Sequence, residues 1–102
     1  METPLPIEAA DETGLTPPLV TVRYWAAARA AAGRAEEQVT AATVSDVLAQ
    51  VRRAHADDPR FLRVLEISSL LLGDRPVTRG DVATARVTEG DVLEVLPPFA
   101  GG

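Results

Sequence analysis

Cysteine and lysine are both absent from this 102-residue sequence, and only 4% of its residues are aromatic. Without cysteine, the chain has no disulfide, no thiolate metal site and no cysteine nucleophile. No apolar run is long enough to cross a membrane, and the opening Met1-Glu2-Thr3-Pro4 lacks the basic and apolar regions of a secretory signal. These absences predict a cytoplasmic protein.

The charge balance and the length limit the classes of function. The formal net charge is -5, whereas nucleic acids and anionic lipids are bound through clusters of Lys and Arg. We therefore expect neither nucleic acid nor membrane as a partner. A chain of 102 residues, 46% of them apolar, supports one domain with a small core, so a deep catalytic cleft is not expected.

The sequence divides into three parts. Residues 1–18 combine four prolines with four acidic residues, a composition too polar and too interrupted to pack. We interpret them as a disordered leader, residues 19–98 as one globular domain, and residues 99–102 as a flexible Gly-Gly tail.

The first half of the domain carries clear secondary-structure signals. Alternation predicts a strand over 19–25, followed by a short Ala-rich helix over 26–32 that Gly33 ends. A strand over 36–40, antiparallel to the first, comes next. The buried face of the first strand should hold Val20, Val22 and Tyr24.

The clearest helix begins after Thr43, a favourable N-cap, and places four apolar residues on one face. These residues are Val44, Val47, Leu48 and Val51. Asp57-Asp58-Pro59 should end this helix, and a second, short helix is expected over 60–66. The second helix should bury Phe61, Leu62 and Leu65.

Three further short strands are expected over 69–72, 75–77 and 92–96. Gly73-Asp74 forms the turn between the first two, residues 82–87 are irregular, and residues 89–91 form another turn. Pro97 and Pro98 end the last strand because proline does not donate to a ladder.

The order of these elements predicts an α+β fold. We expect a mixed sheet of four to five strands with one main helix packed on one face. A ubiquitin-like β-grasp has this plan, as do other small α+β folds, so the order alone leaves the fold family open.

The polar residues of the domain give weak signals. His55 is the only histidine, so no metal site is expected, and it is predicted to be exposed at a helix end without a role. Glu36-Glu37 and Asp57-Asp58 are predicted to be solvated surface pairs. No phosphate-binding glycine motif is present, so ATP would be bound elsewhere.

The last residues carry the chemistry that we predict. Pro97 and Pro98 stiffen the exit from the last strand, and four further residues extend about 14 Å at roughly 3.5 Å each. Gly101 and Gly102 lack a Cβ and would fit a narrow channel in a partner. The terminal carboxylate is ionised at neutral pH and inert to nucleophiles until a partner activates it, as adenylation would. For Gly-Gly alone, the alternative is a frayed end without function.

Three segments resemble the MoaD/ThiS sulfur carriers. They are Tyr24-Trp25-Ala26 with Arg29 and Gly33, Glu89-Gly90-Asp91-Val92, and Leu96-Pro97-Pro98-Phe99-Ala100-Gly101-Gly102. The Pro-Pro-x-Ala-Gly-Gly ending is similar to the MoaD branch, the small subunit of molybdopterin synthase, which is a β-grasp protein. The resemblance covers residues 19–102. Phe99 departs from the smaller aliphatic residue more frequent in the family, and most members lack the leader.

The resemblance implies a carrier and not an enzyme with catalytic side chains of its own. An adenylating enzyme related to ubiquitin-activating enzymes would use ATP and Mg to activate Gly102, and a sulfurtransferase system would deliver sulfur to form a thiocarboxylate. The large subunit of molybdopterin synthase would consume this sulfur on cyclic pyranopterin monophosphate. No cofactor is expected on this chain. The residues entering the partners' channels would be Pro97, Pro98, Phe99, Ala100 and Gly101.

The family also docks through an apolar patch on its sheet near the tail. The matching positions are Trp25 and Leu96, with Pro76 as a third, and Arg29 is a candidate contact for an acidic group of the partner. From the residues alone, Trp25 fits the core and an exposed patch equally well, and a solvated side chain is the default for Arg29.

Other functions remain open at this point. The same thiocarboxylate could feed thiamine thiazole or cysteine biosynthesis, which one sequence does not separate. From a different class, the chain could be a ubiquitin-like protein modifier or binding module, joined to lysines through its C-terminus or docking through its sheet.

Overall fold

The computed structural model describes residues 16–98 and shows five strands and three helices in this range. The strands are β1 (Leu19–Tyr24), β2 (Glu36–Thr40), β3 (Ser69–Leu72), β4 (Arg75–Val77) and β5 (Val92–Leu96). The helices are α1 (Ala26–Ala32), α2 (Val44–Ala54) and α3 (Pro59–Ile67). None of these helices has the length and apolar character needed to cross a membrane.

The five strands form one mixed sheet in the order β2-β1-β5-β3-β4. β1 pairs antiparallel with β2, as predicted, and parallel with β5. β3 pairs antiparallel with both β5 and β4. The strand that is last in sequence therefore lies in the middle of the sheet, between β1 and β3.

Two predicted helix boundaries are confirmed in atomic detail. The hydroxyl of Thr43 accepts a hydrogen bond of 3.1 Å from the backbone N–H of Asp46 and so caps α2. Gly33 ends α1 at a φ of 77°, a left-handed conformation that glycine adopts without steric cost. Its N–H donates to the carbonyl of Arg29 at 3.0 Å.

The acidic pair before α3 has a different role from the predicted one. α2 already ends at Ala54, so Asp57-Asp58-Pro59 does not stop it. Instead, Oδ1 of Asp58 accepts from the N–H of Phe61 at 3.0 Å and caps α3, which begins at Pro59. An aspartate before a helix favours its start, because the carboxylate satisfies a free amide of the first turn.

The core lies on the face of the sheet that the helices cover. The predicted inner faces of β1 and α2 are confirmed, since Val20, Val22 and Tyr24 and the four apolar residues of α2 are all buried. Phe61 and Leu65 are buried as predicted, whereas Leu62 is only half-buried against the core. The rings of Tyr24 and Phe61 meet edge to face with centroids 5.4 Å apart.

Replacing Leu93→Ala should lower the free energy of unfolding by about 2–5 kcal/mol, because the side chain of Leu93 is fully buried in central strand β5. Urea unfolding followed by circular dichroism measures this change. Ile67→Ala is the matched control, since 62% of Ile67 is exposed, and it should cost less than about 0.5 kcal/mol. Equal losses in the two variants would contradict this placement of the core.

Candidate partner interface and tail exit

The structure fixes the point at which the last residues leave the domain. β5 is hydrogen-bonded on both sides, to β1 and to β3, and Leu96 lies opposite Ser69 at its end. The N–H of Trp25 donates to the carbonyl of Val95 at 3.2 Å, which adds a hydrogen bond to β5 from the residue after β1. Half-buried Pro97 and exposed Pro98 follow and cannot continue the ladder. Residues 97 and 98 therefore lie just beyond the end of the central strand.

The sheet face opposite the core carries an apolar area beside this exit. Residues that pair across strands share a face, so Leu71 of β3 lies on the same side as Pro76 of β4 and Glu94 of β5. Val92 and Leu96 lie on that side too, because they alternate with buried Leu93 and Val95. We call Trp25, Leu71, Pro76, Val92 and Leu96 together the open-face patch.

Trp25 is the most prominent member of the open-face patch. Trp25 is 42% exposed. Of the two interpretations that the sequence allowed, a core residue or part of an exposed patch, the structure supports the exposed patch. The indole Nε1 donates a hydrogen bond of 2.8 Å to Oε1 of Glu94. This bond holds the ring against the open face and leaves its apolar surface available for a partner.

The polar half of the same face borders the patch on β1 and β2. Nε of Arg23 lies 3.3 Å from Oε1 of Glu36, and both side chains are about half exposed. Such an exposed ion pair contributes at most about 1 kcal/mol, so it marks an edge of the patch without holding the fold together.

The structure brings three of the predicted interface residues together. Trp25, Leu96 and Pro76 share the open face, and Arg29 is exposed on α1, where its N–H donates to the carbonyl of Trp25 at 3.2 Å. The predicted tail residues Phe99, Ala100, Gly101 and Gly102 lie outside the described residues, as do positions 1–15 of the predicted leader.

Sequence reasoning missed two members of the patch and the acid that holds Trp25. Leu71 belongs to a run of three leucines in which each residue looks equally suited to the core. The register, which pairs Leu71 with Glu94 and Leu72 with Leu93, divides these leucines between the faces. Two signals were available: an alternating strand cannot bury all three leucines on one side, and alternation in β5 places Val92 on the same face as Glu94.

A cluster of polar side chains lies on the core side, behind the end of β1. The hydroxyl of Tyr24 donates to Oε2 of Glu37, and Nε2 of His55 lies 2.8 Å from the same oxygen. The His55 ring stacks on Phe61 with centroids 4.0 Å apart. Nη1 of Arg34 lies 3.7 Å from the other carboxylate oxygen.

The predictions for His55 and Glu37 were therefore wrong. Each side chain is only 13% exposed, whereas both were expected in solvent. Glu37 pairs with Val22 across β1 and β2, which turns it toward the core. His55 directly follows α2, and the ring of Phe61, from α3, stacks against its ring.

Electrostatics in this cluster favour an ionised Glu37. Burial alone would raise the pKa of its carboxyl, but the hydrogen bonds from Tyr24 and His55 outweigh burial and hold the pKa below the ordinary value of 4.5. Burial, and then the bond to ionised Glu37, raise the pKa of Tyr24 well above its usual range. The phenol therefore stays protonated and acts as a donor.

No metal centre can be assigned in the part of the chain from 16 to 98. In that range, no three or more His, Asp and Glu side chains are grouped to hold an ion. The described residues present an apolar face and an exposed tryptophan beside the end of the central strand.

These features define a ubiquitin-like β-grasp domain, and solved structures confirm the fold. The solution structure of small archaeal modifier protein 1 from Methanosarcina acetivorans is 21% identical and gives a TM-score of 0.67, covering 84% of this chain and 98% of that one. The putative molybdopterin converting factor, subunit 1, from Pyrococcus furiosus is 24% identical with a TM-score of 0.64, covering 80% and 99%. A chain in the complex of subunits 1 and 2 of the molybdopterin-converting factor from Helicobacter pylori 26695 is 19% identical with a TM-score of 0.58, covering 82% and 99%.

The model of the ThiS family matches residues 22–102. The chain belongs to the ThiS family, and the resemblance to the MoaD/ThiS sulfur carriers is confirmed. Among curated proteins, none matches this chain.

Replacing Glu37→Gln should lower the free energy of unfolding by about 1.5–3 kcal/mol near neutral pH, since charged hydrogen bonds are lost. The pKa of Glu37 is lowered in the folded state, so its stabilisation is present above pH 4.5 and is lost as the pH falls through the folded-state value. Unfolding of the wild type should therefore become easier on acidification, and the variant should show a weaker dependence. Calorimetric Tm values between about pH 3 and about pH 7 measure both profiles.

Glu36→Gln is the matched control, because it removes the same charge from the neighbouring, half-exposed position. It should leave the acid-side slope unchanged. Parallel profiles for wild type and Glu37→Gln would show that the buried carboxylate does not govern the pH dependence.

Proposed function

We propose that this chain is a sulfur carrier whose terminal Gly102 is adenylated by a partner enzyme and converted to a thiocarboxylate for molybdopterin synthesis. The observation that carries the proposal is the ThiS-family match through residue 102, joined to a domain in which central strand β5 ends at Pro97-Pro98 beside an apolar face. In this proposal the partner enzymes bind the folded domain, and the reaction takes place on the last residues.

The proposed chemistry takes place on the terminal carboxylate in two displacements. A carboxylate oxygen attacks the α-phosphate of ATP in the adenylating enzyme, and pyrophosphate leaves. Hydrosulfide supplied by the sulfurtransferase system then attacks the acyl carbon, and AMP leaves with one carboxylate oxygen. The thioacid loses its proton, so one oxygen is replaced by sulfur. Without cysteine or lysine, this chain has no thiol or side-chain amine that would capture its own acyl-adenylate.

Two of the similar structures support the molybdopterin branch. Those proteins are described as subunit 1 of a molybdopterin-converting factor, one of them in complex with subunit 2. By analogy, the large subunit of molybdopterin synthase would receive the last residues of this chain and contact the open-face patch. Thiamine thiazole or cysteine biosynthesis are other destinations for the same sulfur.

A second candidate, covalent attachment to other proteins, is favoured by the similarity to small archaeal modifier protein 1. The activated acyl group would then pass to a lysine amine of a target. Because this chain contains no lysine, further copies could not be added to its own side-chain amines. Adducts carrying one copy per target lysine would support this function over sulfur donation.

Co-expression with the cognate adenylating enzyme and a sulfur source should yield a chain in which one oxygen is replaced by sulfur. Intact-mass spectrometry measures this product, and fragmentation should place it at Gly102. Deletion of Gly101-Gly102 is expected to abolish the change while leaving the circular dichroism spectrum as in the wild type. An unaltered mass shift in the deletion variant would contradict the assigned site.

Trp25→Ala should weaken binding to the large subunit of molybdopterin synthase by about tenfold or more, because exposed Trp residues that become buried dominate interfaces. Calorimetric titration of the two subunits measures the affinity. Ile67→Ala is the matched control, since it truncates another exposed apolar side chain outside the patch. Equal affinities for Trp25→Ala and the wild type would exclude the open-face patch as the docking surface.

A further inference from the structure

A groove of about 580 Å³ lies on the helical side of the sheet, between α2, α3 and β4. It is separate from the open face, although Pro76 borders both. Apolar side chains form much of its lining: Leu48, Leu65, Leu70, Val77 and Val82. An apolar surface of this extent in a small domain calls for an occupant.

The charged residues that line the groove are two arginines and one glutamate. Arg52, in the last turn of α2, and Arg79 both line it, and Glu66 is the one acidic residue of its lining. Nη2 of Arg79 donates to the backbone carbonyl of Glu66 at 3.0 Å, which holds the guanidinium at the rim. Ile67, 62% exposed, adds an apolar contact beside these charges. The groove therefore suits a segment that is both apolar and acidic.

Residues 1–15 of this chain have that composition. They contain four acidic residues and no arginine, so their formal charge is -4, whereas residues 16–102 hold eleven acidic residues and ten arginines and total -1. The same segment includes the apolar residues Leu5, Ile7 and Leu15. It is too polar and too interrupted to build a core of its own, but a preformed groove would supply the missing apolar surface.

Backbone hydrogen bonds show that the segment is attached close to the groove. The carbonyl of Pro18 accepts from the N–H of Ala41 at 3.0 Å, and the N–H of Ser45 donates to the carbonyl of Val82, a groove residue, at 2.9 Å. Ala41 and Ser45 are four residues apart and so no more than about 14 Å from each other. Fifteen residues can span about 50 Å, so the segment can reach along the whole groove.

We propose that residues 1–15 dock in this groove, with their apolar side chains on its floor and their carboxylates against Arg52 and Arg79. Docking would cover the apolar lining and bring the most acidic part of the chain to the edge of the domain shared with the open-face patch. The proposal does not depend on sulfur transfer, because it concerns the chain alone.

The full chain offers a direct test, because it has no cysteine and a single one can be introduced for spin labelling. A nitroxide on Ala10→Cys should broaden the amide NMR signals of Ile67, Ser69 and Arg79, with the reduced label as reference. Broadening confined to residues 40–45, next to the attachment at Pro18, would overturn the proposal.

Charge reversal separates specific docking from proximity. In the spin-labelled chain, Arg52→Glu should restore the groove signals. Arg60→Glu is the control, because it makes the same charge change at an exposed position in the first turn of α3 and should leave the signals broadened. Equal effects of the two variants would overturn the charge-based docking. A mixed sample tests for docking between molecules: chains with isotope labels but no nitroxide are combined with chains that carry the nitroxide but no isotope labels. Broadening of the groove signals in this sample would also overturn the proposal, because the occupant would then be a second molecule.

Discussion

The parallel pairing of β1 with β5 is the constraint on which the rest of this structure depends. It inserts the last strand of the sequence between β1 and β3, where β1 pairs with it up to Val95 and β3 up to Leu96. An edge strand would be held on one side only and would fray more easily. Because β5 is central and its Leu93 and Val95 are fully buried, packing in the core fixes where Pro97 follows the sheet.

Much of the fold was predictable because local signals agreed with tertiary packing. The alternation in β1, the Thr43 cap and the apolar face of α2 each point to one structure. Glu37 shows where such reasoning fails. Glu36 and Glu37 are adjacent in the sequence, but strand alternation places their side chains on opposite faces of the sheet. His55 could not have been placed, because its burial requires α3 to bring Phe61 against its ring.

The candidate site was predicted from resemblance more than from physical pattern. Trp25 is exposed although it directly follows the buried Tyr24. Alternation along β1 allows this change of face but does not require it at the end of the strand. Leu71 joins the patch through register, which depends on long-range pairing with β5. The domain thus supplies a surface and a fixed exit, while the proposed chemistry belongs to the terminal carboxylate and to enzymes that recognise the surface.

Pro76 has a consequence for how this sheet meets other proteins. In β4 it lies opposite Leu71, between the pairs formed by Arg75 and Val77, so its backbone groups face away from β3. Proline has no N–H, and this outer edge therefore lacks the donor that a sixth strand would need. A strand added by a neighbouring molecule would therefore lack one hydrogen bond there, which disfavours polymerisation through that edge.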